Sequence, residues 1–247
     1  MPKVLKYKKA LVILGPTTTG KTEVAFTIAK RFGGELINGD KFYLFSGFPT
    51  STGLSSFLVT GEVPTHLYQE LEPRVDRLSL IDYLLKVNSL VPNILRRNKL
   101  PIIEGCSYGY TNAIIEVNKL LPKPKYGPFI GLRWPKGYDL QSKVEERVNS
   151  LFREGAISEI ERELKESHKY SYPMRKGVIT VPIVEMLEGR INENKAKDKI
   201  IIGMLDSAYS ALRKFLDIKD TIWLKHDSKK FEETISEIMR LVKKENL

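Results

Sequence analysis

The sequence predicts an α/β fold in which a parallel β-sheet is flanked by helices and carries a smaller helical subdomain. Two observations predict it. Short apolar runs alternate with helical patterns up to about residue 135, as expected of a parallel sheet with helices on both faces. Helical spacing then continues through residues 139–218, before one more strand and one more helix. We therefore expect a single domain, with a core of about residues 8–135 and 220–247 and a helical subdomain at about 139–218.

The individual elements follow from composition and spacing. Pro92 predicts a kink or a break in the second helix, Gly155 interrupts the apolar stripe of the helical subdomain, and residues 54–76 have the character of a loop that could cover a site. The predicted strands are residues 9–14, 35–38, 101–105, 129–133 and 221–225. The predicted helices outside the subdomain are residues 23–31, 80–98, 111–121 and 231–242.

Residues 15–22 read Gly-Pro-Thr-Thr-Thr-Gly-Lys-Thr and match the phosphate-binding loop G-x-x-x-x-G-K-[ST]. The loop lies between a predicted strand and a predicted helix, which is the context that the motif requires, so the fold is expected to be P-loop NTPase-like. Lys21 would add a positive charge, and the hydroxyl of Thr22 can hold Mg²⁺. The predicted phosphate-binding residues are Gly15, Thr18, Thr19, Gly20, Lys21 and Thr22.

Composition excludes several classes of protein. The single cysteine, Cys106, excludes an intrachain disulfide framework and suits a reducing compartment, and three histidines with one cysteine argue against structural zinc. We expect His66, His168 and His226 to be surface or packing residues. No apolar run approaches the length of a membrane span, and the first apolar stretch is the first strand, so a cytoplasmic protein without membrane attachment is expected.

The net charge of +10 has two interpretations. It is typical of a surface that binds nucleic acid or several phosphates, and equally of a solvated, lysine-rich surface. Much of the excess charge lies at the two ends of the chain, away from the phosphate-binding loop, which favours the solvated surface.

Polar residues lie at the carboxyl ends of the first four predicted strands: Thr17, Asp40 and Ser107 follow the first three, and Arg133 ends the fourth. Ligands of open parallel sheets bind at the carboxyl ends of the strands, so these residues are expected to converge over the loop. Asp40 could bind metal, accept a proton or cap a helix, and Arg133 could clamp a diphosphate or lie on the surface. Hydrolytic P-loop ATPases have a second motif, an apolar run that ends in a metal-binding acid. Residues 102–104 are only a weak candidate for it, which indicates a reaction other than ATP hydrolysis.

Several segments of the sequence together resemble a known family. The loop at 15–22, followed by Ile-Asn-Gly-Asp-Lys-Phe-Tyr at 37–43, is similar to motifs of the isopentenyltransferases, which include adenylate (cytokinin-forming) enzymes and tRNA dimethylallyltransferases. Further similar segments follow in the family's order, at residues 100–108, 175–182, 213–214 and 222–224. The sequence departs from the family pattern at Gly39, at Glu104-Gly105-Cys106 and at Ile183.

The resemblance implies roles for the predicted residues. Asp40 matches the acid that accepts a proton from N6 of adenine, and Thr17 matches the residue that orients this amine. Lys21, Thr22 and Arg133 match the ligands of diphosphate and Mg²⁺. Residues assigned to the nucleotide are Thr52, Ser107, Arg175 and Lys176.

The implied reaction is transfer of a dimethylallyl group from dimethylallyl diphosphate to a free adenine nucleotide (AMP, ADP or ATP), as in cytokinin biosynthesis. The tRNA enzymes of the family carry a long helical insertion before the fourth strand, and residues 122–128 are too few to contain it. A tRNA acceptor is therefore the less favoured alternative. A kinase or a nucleotide-binding module that uses the loop for ATP is the alternative from another class.

Overall fold

The computed structural model describes residues 7–73, 78–123, 125–166 and 171–244. Within them, six parallel strands form one sheet in the order β3-β2-β4-β1-β5-β6. The predicted parallel α/β class is therefore confirmed. The strands are β1 (Ala10–Leu14), β2 (Glu35–Asn38), β3 (Thr65–His66), β4 (Pro101–Gly105), β5 (Tyr126–Arg133) and β6 (Thr221–Lys225).

The helices follow the predicted pattern with one clear difference. The second predicted helix runs without a break through Pro92, so the predicted split is wrong, whereas Gly155 does separate two helices of the subdomain. The helices are α1 (Lys21–Phe32), α2 (Pro49–Thr52), α3 (Leu80–Arg96), α4 (Tyr108–Leu120), α5 (Leu140–Arg153), α6 (Ala156–Lys165), α7 (Tyr172–Lys176), α8 (Thr180–Leu187), α9 (Glu193–Leu216) and α10 (Phe231–Lys244).

Helices cover both faces of the sheet because alternate residues of the central strands point to opposite sides. Leu11 and Ile13 of β1 pack in the same apolar cluster as buried residues of α1 and α10. Val12 packs in a second cluster, on the other face, with buried residues of α3, α4 and the helical block, which consists of α5 to α9. Because both faces of β1 are covered, all five of its residues are buried.

The helical block packs around its longest helix, α9, which contacts α5 and α8. Its apolar stripes, among them Val144 and Val148 of α5 and Ile200 of α9, join the core cluster on one face of the sheet. This packing places α7 and α9 beside the carboxyl edge of the sheet. Among the described residues, no helix is long and apolar enough to cross a membrane.

The predicted loop at residues 54–76 contains one strand that the sequence did not indicate. Thr65–His66 pairs in parallel with β2 at the edge of the sheet, and Nε2 of His66 lies 2.7 Å from a carboxylate oxygen of Glu35. Residues 74–76 of this segment lie outside the described residues. The segment is therefore tied to the sheet through β3.

Candidate active site

The phosphate-binding loop connects β1 to α1 and is held in shape by its own hydrogen bonds. The hydroxyl of Thr19 donates to the carbonyl of Pro16 at 2.9 Å, and Thr18 has a left-handed φ of 63°. A Cβ atom at Gly15 would lie 2.6 Å from the carbonyl oxygen of Leu132 on β5, so this position requires glycine. The loop can therefore present its N–H groups and the N-terminus of α1 to an anion.

Glu104 lies directly against the loop, at the carboxyl end of β4. Its side chain is fully buried, and its two oxygens accept hydrogen bonds from the hydroxyl of Thr22 at 3.1 Å and from that of Tyr68 at 2.7 Å. Burial raises the pKa of Glu104, while the nearby Lys21 and these two hydrogen bonds act in the opposite direction. Sequence patterns identified Glu104 only as a weak candidate for an acidic motif, because its proximity to Thr22 depends on the pairing of β1 with β4.

Asp40 follows β2 and is oriented by the local backbone. Its own N–H donates to Oδ1 of Asn38 at 2.7 Å, and its side-chain Oδ1 accepts the N–H of Phe42 at 2.9 Å. The other carboxylate oxygen accepts a hydrogen bond from the thiol of Cys106. Burial and the neighbouring Asp40 charge raise the pKa of this thiol well above its usual value, so Cys106 remains a donor.

A cavity of about 660 Å³ opens beside the loop at the carboxyl edge of the sheet. The sheet side of its wall contains Thr17, Asp40 and Ser107. The positively charged residues in its wall are Lys41, Lys176 and Lys214, and its apolar residues include Phe42, Phe45, Tyr172, Val178 and Ala211. It can therefore accommodate a ligand with both an apolar part and negative charges.

The predicted site residues do not all meet at this cavity. Thr17, Asp40, Ser107 and Lys176 line it, next to the loop residues 18–22. Arg175, the residue before Lys176 on α7, is exposed and lies outside the cavity wall. Thr52 also lies outside it, on α2, and its hydroxyl donates to the carbonyl of Phe48 at 2.6 Å.

Arg133 ends β5, the strand that pairs with β1 on the side away from β4. Its Nε is buried and has no hydrogen-bond acceptor within the part of the chain that the structure describes. A buried guanidinium N–H without an acceptor is costly. The arrangement suits an anion bound at the neighbouring loop.

Sequence patterns missed the contribution of α9. Ser207, Ser210, Ala211 and Lys214 all line the cavity. Their spacing of i, i+3, i+4 and i+7 places them on one helix face, and a stripe of small and polar residues on that face was the available signal. Its meaning depends on how the helical block packs against the sheet, which spacing alone does not give.

Two of the three histidines have packing partners. Nδ1 of His226 lies 2.8 Å from the hydroxyl of Thr234, and His66 contacts Glu35, as described above. Burial lowers the pKa of His226. His168 lies outside the described residues.

The donors around the loop fit a magnesium ion. The Thr22 hydroxyl and the carboxylate of Glu104 are hard oxygen donors, the type that Mg²⁺ prefers. Among residues 7–73, 78–123, 125–166 and 171–244, no group of three or more His, Cys, Asp or Glu side chains could form a metal cage. Mg²⁺ at nucleotide sites is usually held by one or two protein groups together with phosphate oxygens and water, so this donor set suffices.

Sequence comparisons give two sets of relatives, and no family model matches the chain. The chain is 33% identical over 112 residues to a tRNA dimethylallyltransferase of Lactococcus lactis, an alignment covering 45% of this chain and 38% of the relative. It is 30% identical over 174 residues to the chloroplastic adenylate isopentenyltransferase 3 of Arabidopsis thaliana, covering 69% of this chain and 51% of the relative. The chain thus spans about half of the length of these relatives, or less.

Comparison with solved structures shows the same fold over almost the whole chain. The tRNA isopentenylpyrophosphate transferase of Bacillus halodurans superposes with a TM-score of 0.84 at 20% identity, covering 97% of both chains. At this level of identity the similarity concerns the fold. The P-loop sheet and its flanking helices therefore form a known architecture.

Proposed function

Because this chain belongs to the isopentenyltransferase family, we propose that it transfers a dimethylallyl group from dimethylallyl diphosphate to N6 of a free adenine nucleotide. The product would be a prenylated nucleotide of the kind made in cytokinin biosynthesis. The observation that carries the proposal is the cavity, which opens beside the phosphate-binding loop with Thr17 and Asp40 in its wall. A diphosphate on the loop and an adenine in the cavity would bring the two reacting groups together.

In this reaction the bond between N6 and C1 of the prenyl group forms as the bond from C1 to the diphosphate oxygen breaks. The proton of N6 passes to the carboxylate of Asp40, whose orientation is fixed by Phe42 and Cys106. The hydroxyl of Thr17 would hold the amine in line. A general base is useful here because the lone pair of N6 is delocalised into the ring.

The loop would stabilise the leaving diphosphate. Its N–H groups, Lys21 and the guanidinium of Arg133 supply positive charge where negative charge develops. A Mg²⁺ ion held at Thr22 would neutralise further charge on the diphosphate. The prenyl chain would lie against the apolar residues of the cavity, including Phe45, Tyr172 and Val178.

Two observations support a free nucleotide as the acceptor. Lys41, Lys176 and Lys214 line the cavity and could bind the phosphates of a mononucleotide. In addition, α4 ends at Leu120 and β5 begins at Tyr126, so the connection between them is too short for the helical insertion that the family resemblance implies for tRNA enzymes.

A tRNA acceptor is the second candidate. It is favoured by a relative of that name and by the extent of the similarity to the Bacillus halodurans structure. The net charge of +10 is compatible with either acceptor, because both carry phosphates.

The test offers the protein dimethylallyl diphosphate and Mg²⁺ with AMP, ADP, ATP or an anticodon stem-loop containing adenine 37, and detects products by mass. We expect prenylated product from at least one free nucleotide, and faster than from the stem-loop. Product from the stem-loop alone would assign the tRNA reaction, and product from none of the four would refute prenyl transfer. Release of ADP or inorganic phosphate from ATP without a prenyl donor would favour the kinase alternative.

A further inference from the structure

Glu104 is a buried carboxylate with several polar partners, an arrangement that packing of the core alone does not require. It is a fully buried carboxylate at the floor of the phosphate-binding loop, and burying such a charge is costly unless other groups compensate it. Lys21 supplies opposite charge nearby, and Thr22 and Tyr68 donate to the two oxygens. Glu104 also lies in one of the segments where the sequence departs from the pattern of the family that it resembles.

The direction of the Thr22 hydrogen bond is informative. The hydroxyl gives its hydrogen to Oε2 of Glu104, which leaves the oxygen lone pairs of Thr22 free to face a cation. Glu104 also lies on the strand next to the loop, since Ile13 of β1 is in register with it. In P-loop nucleotide-hydrolysing proteins, Mg²⁺ is held by the loop Ser or Thr and by an acid of this kind.

We propose that Glu104 and Thr22 together hold the Mg²⁺ ion that accompanies the diphosphate at the loop. The proposal rests on the proposed function only in taking diphosphate as the ligand of the loop. It assigns this chain an acidic magnesium ligand in addition to the loop hydroxyl. If Glu104 served instead only as a counter-charge to Lys21, its removal would leave the affinity for Mg²⁺ unchanged or increase it.

The first test measures Mg²⁺ binding by calorimetry to the protein saturated with inorganic diphosphate, with no prenyl donor or acceptor present. We expect Glu104→Gln to weaken Mg²⁺ binding by about 100-fold, the upper end of the range found when a hydrogen-bonding partner of a metal ligand is removed. Glu116→Gln is the control, because it removes an exposed carboxylate on α4 and should leave the affinity close to that of the unmodified protein. An unchanged affinity in folded Glu104→Gln would overturn the proposal, as would an equal loss in both variants.

The second test needs no substitution and so does not depend on the stability of the variant. The unmodified protein is labelled with ¹³C at its glutamate carboxyl groups, and Mn²⁺ replaces Mg²⁺ in the presence of diphosphate. Pulsed electron paramagnetic resonance should then detect a ¹³C coupling to the manganese, and its absence would overturn the proposal. Because only glutamate is labelled, Asp40 cannot give rise to this coupling. Because no prenyl transfer takes place in either test, the metal site and the proposed reaction can fail independently.

Discussion

At the scale of single residues, the chemistry depends on the orientation of one carboxylate. Asp40 is buried, and its two side-chain oxygens accept hydrogen bonds from the backbone of Phe42 and from the thiol of Cys106. These contacts fix the side chain while leaving it in the wall of the cavity. A carboxylate held in this way is suited to accept a proton from a bound amine.

We therefore expect Asp40→Asn to lower kcat for prenyl transfer by about 10²- to 10⁴-fold, the usual contribution of a general base. Binding of diphosphate should remain, because the phosphate-binding loop is unchanged. Steady-state rates and a direct titration with diphosphate measure the two effects separately. Asp198→Asn, which changes an exposed carboxylate on α9, is the control and should leave both unaltered. A near-normal kcat for Asp40→Asn would refute the role of Asp40 as the base.

At the scale of elements, the site depends on the close approach of two strand ends. A Cβ atom at Gly105, the last residue of β4, would lie 2.2 Å from the carbonyl carbon of Gly39, which follows β2. Gly39 and Glu104–Cys106 are positions where the sequence departs from the family pattern. Their backbones pack directly against each other, and this contact sets the position of Asp40, the next residue after Gly39.

Gly105→Ala should therefore force the ends of β2 and β4 apart. We expect a loss of about 1–3 kcal/mol in the free energy of unfolding, as for other overpacked sites, measured by urea denaturation. Activity should fall as well, because Asp40 would move. Gly109→Ala is the matched control: its Cβ would lie 3.5 Å from Leu80, an ordinary contact. Equal stability of the two variants would contradict this account of the strand ends.

His226, which lies at the junction of β6 with α10, is expected to make the stability of the protein depend on pH. Burial lowers the pKa of His226 below that of an unfolded chain, which is about 6.5. As the pH falls through about 6.5, the unfolded state binds more protons than the folded state, so the free energy of unfolding decreases. His226→Gln, whose amide can still bond to Thr234, should lose stability less steeply between about pH 7 and pH 5. Urea denaturation at several pH values provides the comparison, and parallel curves for the two proteins would contradict the prediction.

Sequence patterns predicted the strands and helices correctly where the local pattern was strong. The bounds of β2, β4 and β6 were predicted without error, because each is a short apolar run. The strand β3 was missed because Thr65 and His66 form only two residues of sheet, too few for a periodic pattern. The break expected at Pro92 does not occur; Val87, Val91 and Ile94, on both sides of the proline, are all buried in the core, and this packing supports the helix.

At the scale of the whole molecule, the sequence predicted the sheet side of the cavity, together with Lys176 on its helical side. Thr17, Asp40 and Ser107 could be expected to meet, because the carboxyl ends of neighbouring parallel strands share one edge. Lys214 and Ser207 could not be placed there from spacing alone, because their position depends on how the helical block packs over the sheet. The site is thus formed between two parts of the fold that are far apart in the sequence.

A ligand that binds only the folded state should stabilise the entire domain. Mg²⁺ and inorganic diphosphate at about 100 times the dissociation constant should add about 2.7 kcal/mol to the free energy of unfolding. For a domain of this size, that corresponds to a rise in Tm of about 5–11 °C in differential scanning calorimetry. Lys21→Met, which removes the charge of the loop but keeps a long side chain, should lose most of this rise. Asp40→Asn should retain it, because the proposed base does not hold the diphosphate. A rise of the same size in Lys21→Met would show that diphosphate stabilises the protein from somewhere other than the loop.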